Sequence, residues 1–291
     1  MAKDTSIIFN RRNTSERVWF IVVFAVFLLY SCLVIAFFGW ALKCSLMDLD
    51  EFYYDPVAWP TALHFENYTI AFDVLEYSKT TFFGMILNSL WFSIGGAVLN
   101  VFMHCCTGYV FARYEFKGKK FMLSVAIFTM IIPIVGSLPA NYELICGILK
   151  INNSPLYLIT MLGGLGSNLM IMMAFFKSID KSYAEAAFID GATDWQVFIR
   201  IMIPMAQGPI LAIGIMAVIS GWNNYTTPIL YLDKMPTLAS GLYYFNQAIQ
   251  YVDNKPAYFA GVIMSMIPAL VLFTIFSNKI MGNVVMGGLK G

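Results

Sequence analysis

Few residues in this chain combine a type and a spacing that could support chemistry. His104, Cys105 and Cys106 are metal-ligand types, but neighbouring residues of a helix point about 100° apart and do not converge on one ion. The only other histidine is His64, and the sequence has neither a His-Glu-x-x-His zinc motif nor a Gly-x-x-x-x-Gly-Lys-Ser/Thr phosphate loop. We therefore expect no metal site and no ATP hydrolysis by this chain alone.

The composition is typical of a membrane protein. Hydrophobic residues make up 59% of the 291 residues and charged residues only 12%, against about 45–50% and about 25% in ordinary globular domains. The net charge of +1 gives no reason to expect a nucleic-acid partner. The five cysteines show no Cys-x-x-Cys spacing, and four of them lie in apolar runs, so we expect no disulfide framework.

Six apolar segments are candidates to cross the membrane, since about 20 residues span about 30 Å of hydrocarbon. They are Val18–Leu42, Phe83–Ala112, Phe121–Ile145, Leu156–Phe176, Ile199–Trp222 and Ala257–Ser277. The first is too long for a signal-peptide core of roughly 7–15 residues and is interpreted as a retained span. Pro133, Pro139 and Pro268 lie inside apolar runs and predict kinks. The predicted fold class is therefore all-α integral membrane, with about six transmembrane helices.

Basic residues predict the orientation of these spans. Thirteen of the eighteen fall on one side, namely Lys3, Arg11, Arg12, Arg17, Arg113, Lys117, Lys119, Lys120, Lys177, Lys181, Arg200, Lys279 and Lys290. The opposite side carries seven acids between Asp48 and Glu76. Both termini are therefore predicted to be cytoplasmic. The two long outer connections, Lys43–Thr81 and Asn223–Pro256, are expected to be ordered caps.

The fourth connection, residues 177–208, lies on the predicted cytoplasmic side and spells two short helices. Ser182 with Glu185 and Thr193 with Gln196 read as capping boxes, each of which predicts a helix start. Gly191 stands where a left-handed residue would end the first helix. An isolated helix of one or two turns is marginal in water, so it needs a docking surface, which a cytoplasmic partner protein would supply.

The second helix of this connection leads back towards the bilayer. Trp195, Phe198, Ile199 and Met202 lie at positions i, i+3, i+4 and i+7, which predicts an apolar stripe. Pro204 is expected to end or bend this helix. The first helix is thus predicted to project from the membrane face, pinned by the second helix behind it.

The same segment carries a resemblance to a known family. Glu185-Ala186-Ala187, three residues, Gly191, nine residues, then Ile201, Ile203 and Pro204 resembles the cytoplasmic loop of ABC-importer permeases, with Ile203 in place of the usual leucine. Further similarity to the carbohydrate branch, which includes the smaller membrane subunit of the maltose transporter, lies in Asn88-Ser89, Ala112-Arg113-Tyr114, Phe116-Lys117-Gly118, Trp222-Asn223 and Gly287-Gly288-Leu289-Lys290-Gly291. Asp180 stands where that branch usually has a proline, and Gly208-Pro209 replaces its Lys-Pro.

The resemblance implies a type I ABC-importer permease fold, in a single permease domain over residues 1–291 with a six-span core at about 18–280. Its partners would be a second, different permease subunit, two ATPase subunits that bind ATP and magnesium, and an extracellular solute-binding protein that delivers a sugar or oligosaccharide. The chain itself would need no cofactor and would lie in the lipid of the bacterial cytoplasmic membrane. The implied ATPase-coupling residues are Glu185, Ala186, Ala187, Asp190, Gly191 and Pro204, with Glu185 expected to cap the helix and to pair with the ATPase.

Polar and aromatic side chains at the spans suggest where the solute passes, because polar groups in lipid are costly and usually face an interior cavity. The principal candidates are Asn141, Glu143, Trp222, Asn223, Asn224 and Tyr225. Trp222 and Tyr225 have rings that stack on sugars, although aromatics at a membrane edge are more often anchors. For Asn88, Asn100 and Asn168 we expect hydrogen bonds between helices.

Three other functions are compatible with a helical membrane protein. An importer of the same architecture for a non-sugar solute, such as an amino acid or phosphate, remains open. A secondary transporter is expected to have an inverted repeat and ionisable groups at mid-membrane. Here Glu143 is the only acid near the interior of a predicted span, and it lies towards the outer end of that span. A membrane enzyme would need a paired nucleophile and base. Neither of these two explains the Glu185–Pro204 pattern.

Overall fold

The computed structural model describes residues 14–131 and 136–287. Within these ranges the chain is helical apart from its connections, and its β-structure is an isolated bridge between Tyr77 and Thr80. The predicted kink at Pro133 and the similarity at residues 288–291 lie outside the described residues, as do four of the basic residues used for orientation, Lys3, Arg11, Arg12 and Lys290.

The helices follow one another in this order. They are α1 (Thr14–Ser45), α2 (Leu49–Tyr54), α3 (Glu66–Val74), α4 (Phe82–Leu90), a π-helix (Trp91–Gly95), α5 (Gly96–Arg113), α6 (Lys119–Ile131), α7 (Ser137–Tyr142), a second π-helix (Glu143–Ile148), a 3-10 helix (Pro155–Met161), α8 (Ser167–Ser178), α9 (Ser182–Ile189), α10 (Asp194–Val197), a third π-helix (Phe198–Met202), α11 (Ile203–Met205), α12 (Gln207–Asn223), α13 (Thr226–Tyr231), α14 (Leu238–Val252) and α15 (Lys255–Gly287). Two compact units result, one holding residues up to Ala71 with Val252–Ile263, the other Phe72–Tyr251 with residues from Met264 onward.

Two helical stretches of the described chain, Ser15–Ser45 and Phe82–Arg113, are long and apolar enough to cross a membrane. A third is counted if Asp194–Met205 and Gln207–Asn223, bent by 77° against each other, form one span. These correspond to the predicted first, second and fifth spans. The predicted sixth span lies within α15, whose helix continues through Pro268. A total of six spans stays a prediction.

The predicted fourth span, Leu156–Phe176, is not one helix. Residues 155–161 form a 3-10 helix, and α8 begins only at Ser167. Between them, Gly163, Gly164 and Gly166 adopt φ angles of +60°, +133° and +146°. Apolar composition could not show that the glycines let the backbone leave the helix.

In the first unit, α1 has an apolar surface that its own chain leaves uncovered, since none of its most apolar window is buried. A helix that is apolar on all sides requires lipid or another protein around it. Its end is fixed by side chains: Lys43 Nζ donates to the carbonyl oxygens of Pro56 and Ala58 at 2.6 and 2.8 Å. Asn67 Nδ2 donates to the carbonyl of Ser45 at 3.0 Å. The segment that follows α1 is thus ordered, as expected of a cap.

In the second unit, α5 packs against α8 and α12. The core between them contains Tyr109 from α5, Met172 and Phe176 from α8, and Ile213 from α12. At Gly108 the backbones of α5 and α8 approach so closely that a Cβ there would lie 2.6 Å from the Cβ of Met172. Small residues permit such close contacts between membrane helices.

Candidate functional site

Helix α9 begins differently from the prediction. Asp180 Oδ1 accepts a hydrogen bond of 2.8 Å from the backbone N–H of Ser182. The predicted capping box is absent, since no hydrogen bond joins Ser182 and Glu185 and the residue before the helix, Lys181, caps it with no side-chain bond. The bond from Ser182 holds the pKa of Asp180 below its usual value. The departure from the family pattern at Asp180 therefore supplies the acceptor that starts the helix.

The end of α9 agrees with the prediction. Gly191 has φ +82°, which confirms the left-handed residue. Its N–H donates to the carbonyl of Phe188 at 3.0 Å, and the N–H of Ala192 donates to the carbonyl of Ala187 at 2.9 Å. This pair of bonds is the Schellman motif. The apolar contact that accompanies the motif is also present, because Ala187 is buried in the core and Ala192 packs against the same cluster.

The second capping box is confirmed. The N–H of Gln196 donates to Thr193 Oγ1 at 3.3 Å, and the N–H of Thr193 donates to Gln196 Oε1 at 2.8 Å. From α10 the chain continues through the third π-helix into α11, which contains Pro204, and bends by 77° into α12. The loop and its two short helices therefore form one ordered path into the predicted fifth span.

The predicted apolar stripe of this path is only partly buried. Phe198 and Met202 are buried, whereas Trp195 and Ile199 are exposed. Ile199 is the second residue of the π-helix, whose wider turn departs from α-helical spacing. Trp195 still contacts Phe198, with ring centroids 5.5 Å apart.

The outer surface of α9 has no cover within the described chain. Ala187 is buried, but Glu185, Ala186 and Asp190 are exposed, and Ile189 is 86% exposed. The carboxylate of Glu185 forms no hydrogen bond or ion pair with the described residues, so the predicted capping role is wrong. This surface of α9, with the exposed Ile189 and Glu185, is therefore available for contact with another protein.

A polar cavity of about 550 Å³ lies in the second unit, between the first π-helix with α5, the glycine break before α8, and α12. Its polar lining consists of Ser93, Asn100, Thr160, Asn168, Ser220 and Asn224. Asn100 Nδ2 donates to the carbonyl of Met161 at 3.2 Å, and Asn224 Oδ1 accepts from the N–H of Thr227 at 3.0 Å. Asn168 and Ser220 form no hydrogen bond with the described residues. The expected hydrogen bond between helices is thus found for Asn100 and not for Asn168.

The other candidates for the solute path lie elsewhere. Trp222 and Asn223 line a separate apolar groove of about 570 Å³, and Asn223 Nδ2 donates to the carbonyl of Ile219. Tyr225 stacks on Tyr243, with centroids 5.6 Å apart. Asn141 and Glu143 are exposed on α7 and the second π-helix and line neither cavity. Of the six candidates, Asn224 is therefore the one at the polar cavity.

Sequence reasoning missed Ser93, Thr160 and Ser220, which also line this cavity. The available signal was weak: hydroxyl residues are common inside spans, because they can bond their own helix. Ser93 does so, with its Oγ donating to the carbonyl of Ser89 at 2.6 Å. The glycine break at residues 163–166 was the stronger signal, because irregular backbone at membrane depth is tolerated where it lines a cavity.

His104 is buried in α5 and donates from Nδ1 to the carbonyl of Asn100 at 2.7 Å. Cys105 packs in the core with Tyr109 and Met172. Across the described residues, no three His, Cys, Asp or Glu side chains come together as a metal site would require.

Residues 105–280 match the family described as the binding-protein-dependent transport system inner membrane component, and the chain belongs to this family. The family consists of transport permeases, so the chain is a membrane protein of a transport system and not a catalytic enzyme.

Several relatives cover most of the chain. It is 26% identical to the diacetylchitobiose uptake system permease protein of Streptomyces coelicolor, over 95% of this chain and 91% of the relative. It is 28% identical to the arabinooligosaccharides transport system permease protein of Halalkalibacterium halodurans, over 79% of this chain and 83% of the relative. The maltose/maltodextrin transport system permease protein of Vibrio parahaemolyticus is 29% identical, over 71% and 73%.

A solved structure shares the fold. It is a chain of a bacterial ABC transporter involved in the import of the acidic polysaccharide alginate, with a TM-score of 0.73 and 20% identity, and the match covers 92% of this chain and 98% of that one. The likeness shows that this chain has the fold of that transporter chain.

Proposed function

We propose that this chain is one permease subunit of an ATP-driven importer that carries a sugar or oligosaccharide across a bacterial cytoplasmic membrane. The observation that carries the proposal is that helix α9 ends in the Schellman turn at Gly191 and has an uncovered outer surface. The chain also belongs to a family of transport permeases. Relatives named for diacetylchitobiose, arabinooligosaccharides and maltose support a carbohydrate as the solute. A non-sugar solute on the same architecture is the alternative.

In this proposal the chain spans the membrane six times as a single permease domain, with both termini in the cytoplasm. A second permease subunit stands beside it, two ATPase subunits bind ATP and magnesium below, and an extracellular solute-binding protein delivers the solute above. Helix α9 rests on one ATPase and moves with it when ATP binds. The Schellman turn that closes α9 is followed directly by the capping box that begins α10, so this movement would reach α12 and reorient the spans as a rigid body.

The exposed side chain of Ile189 tests the contact with the ATPase. Ile189→Asp places a charge in the centre of an apolar contact, and we expect the co-purified ATPase to fall by roughly tenfold or more, because burying an unpaired charge costs several kcal/mol. The measurement is the ratio of ATPase to permease after co-expression and affinity purification of the permease in detergent.

Val57→Asp is the matched control for this experiment. Val57 is also a strongly exposed apolar residue, at 75%, but it lies in the predicted outer connection. We expect this variant to retain the wild-type amount of ATPase. Retention of the ATPase by both variants, or its loss from both, would count against α9 as the docking helix. Stimulation of the wild-type ATPase by a panel of sugars, amino acids and phosphate would then identify the solute class.

The polar cavity is proposed to contribute to the solute path. The free amide of Asn168 has both donors and acceptors, which suits sugar hydroxyl groups. We expect Asn168→Ala to raise the KM for uptake about threefold to tenfold, the loss of one hydrogen bond, with little change in stability. Asn223→Ala, which removes an amide bonded to its own helix, is expected to leave the KM unchanged. Equal KM values for the two variants and the wild type would remove this cavity from the path.

A further inference from the structure

The end of α5 and the residue that follows it hold both sides of helix α9. Arg113 is the last residue of α5, and its Nη2 donates to the carbonyl of Ile179 at 2.7 Å, where α8 ends and the chain turns into α9. The hydroxyl of Tyr114 donates to Asp194 Oδ1 at 2.5 Å, at the first residue of α10. Because α9 lies between Ile179 and Asp194 in the chain, two adjacent residues fix the segments before and after it.

Aromatic packing reinforces this attachment. Tyr109 of α5 is buried and contacts Phe176 of α8, Phe198 after α10, and Tyr114, with ring centroids 5.6, 5.0 and 5.8 Å apart. Lys119 Nζ donates to the carbonyl of Tyr114 at 2.9 Å and so stabilises the turn between α5 and α6. Partial burial of its ring and the bond to Asp194 raise the pKa of Tyr114, whose hydroxyl is protonated at neutral pH and can donate.

We propose that Arg113 and Tyr114 form a latch, defined by these two hydrogen bonds, that makes helix α9 and α5 move as one body. The proposal rests on the proposed function. The loop motif accounts for the shape of α9 and for its continuation into α12, but not for a connection to α5. Asn100 on α5 lines the polar cavity, so the latch links the predicted ATPase contact to a wall of that cavity. Arg113 and Tyr114 are thus positioning residues.

The two bonds of the latch contribute to positioning more than to folding. Tyr114 and Asp194 are exposed, so their bond contributes little to folding, but it still fixes the distance between α5 and α10. The Nε of Arg113 is buried and has no hydrogen-bond partner among the described residues, and the hydrogen bond to Ile179 comes from Nη2. Lysine at this position would remove the unpaired nitrogen and keep one charged donor.

The test uses the complete transporter, with its partner permease, ATPases and solute-binding protein, reconstituted in liposomes. For Arg113→Ala and Tyr114→Phe we expect normal ATPase co-purification and retained ATP hydrolysis. Solute taken up per ATP hydrolysed is expected to fall about tenfold for Arg113→Ala, which loses a hydrogen bond from a charged donor, and about threefold for Tyr114→Phe, which loses one from a neutral donor. Arg113→Lys is expected to restore most of this ratio. Asp194→Asn keeps an acceptor oxygen, so we expect its uptake per ATP hydrolysed to fall less than that of Asp194→Ala.

Tyr54→Phe is the matched control, because it removes a hydroxyl that is exposed and makes no hydrogen bond with the described residues. A wild-type ratio of uptake to hydrolysis in Tyr114→Phe would overturn the latch. So would a Tyr114→Phe variant in which uptake and hydrolysis fall by the same factor. Tyr114→Phe loses a single exposed hydroxyl and decides the question even where Arg113→Ala fails to assemble. A wild-type complex without solute-stimulated hydrolysis would instead overturn the proposed function itself.

Discussion

Replacement of Gly191 by valine is expected to abolish solute-stimulated ATP hydrolysis and uptake. Gly191 has φ +82°, and a Cβ built there meets no atom within 4 Å, so the whole cost lies in the backbone. A left-handed conformation costs a residue with a side chain about 1–2 kcal/mol, and more when the side chain is β-branched. The eight residues of α9 form too short a helix to absorb this cost, since such helices are marginal without support.

A graded series makes this prediction specific. Asn tolerates the left-handed region best among non-glycine residues, so we expect Gly191→Asn to retain most of the solute-stimulated ATP hydrolysis. For Gly191→Ala we expect this activity to fall roughly 5–30-fold, and for Gly191→Val to fall further. The measurement is solute-stimulated ATP hydrolysis by the reconstituted importer. Assembly is followed in parallel through the amount of co-purified ATPase.

Gly208→Ala is the control for the series. A Cβ at Gly208 also meets no atom within 4 Å, but its φ is not in the left-handed region, so a side chain brings no strain. We expect wild-type activity from this variant. Equal activities of the Asn and Val variants of Gly191 would show that backbone conformation at this turn does not matter for coupling.

Replacement of Gly108 by alanine is expected to give the largest loss of stability. Its Cβ would lie 2.6 Å from the Cβ of Met172 and 3.1 Å from backbone atoms of Met172 and Met173, which cannot rotate away. Overpacking of this kind costs about 1–3 kcal/mol, because the two helices must move apart. We expect a lower midpoint of thermal unfolding in detergent, measured by the fraction of protein that remains monodisperse after heating, and no folded protein from Gly108→Leu.

Gly214→Ala provides the comparison within the same unit. The nearest atom to a Cβ at Gly214 is Cγ2 of Val101 at 3.6 Å, an ordinary contact, and alanine favours a helix over glycine by about 1 kcal/mol. We therefore expect unchanged or slightly higher thermal stability. A Gly108→Ala protein as stable as Gly214→Ala would mean that α5 and α8 are not in close contact in the membrane.

The family and the fold class were accessible from the sequence because their signals are local or compositional. A long apolar run predicts a membrane helix by itself, and the first and second predicted spans do form helices long and apolar enough to cross a membrane. The turn at Gly191 and the capping box of Thr193 with Gln196 involve residues at most five apart, so their types and spacing were sufficient. The loop motif, read on the predicted cytoplasmic side, pointed to the family that the residues 105–280 now identify.

Local reasoning was wrong where two neighbouring residues offered similar chemistry. Asp180 and Ser182 are both good capping residues, and the sequence does not show which of them has the extended backbone that a cap requires. The glycine break before α8 was missed for a related reason. An apolar run with glycines is compatible with a helix, and tertiary contacts decide whether the helix persists.

The sequence by itself determined that this is a helical membrane permease with a short, glycine-terminated helix in one loop. The tertiary structure alone decided which polar groups share a cavity and what holds that loop in place. Asn100, Asn168 and Ser220 come from three separate elements, and Arg113 bonds the carbonyl of a residue 66 positions away. Such contacts depend on how the helices pack, and packing is set by the fit of many side chains at once, as the close approach at Gly108 illustrates.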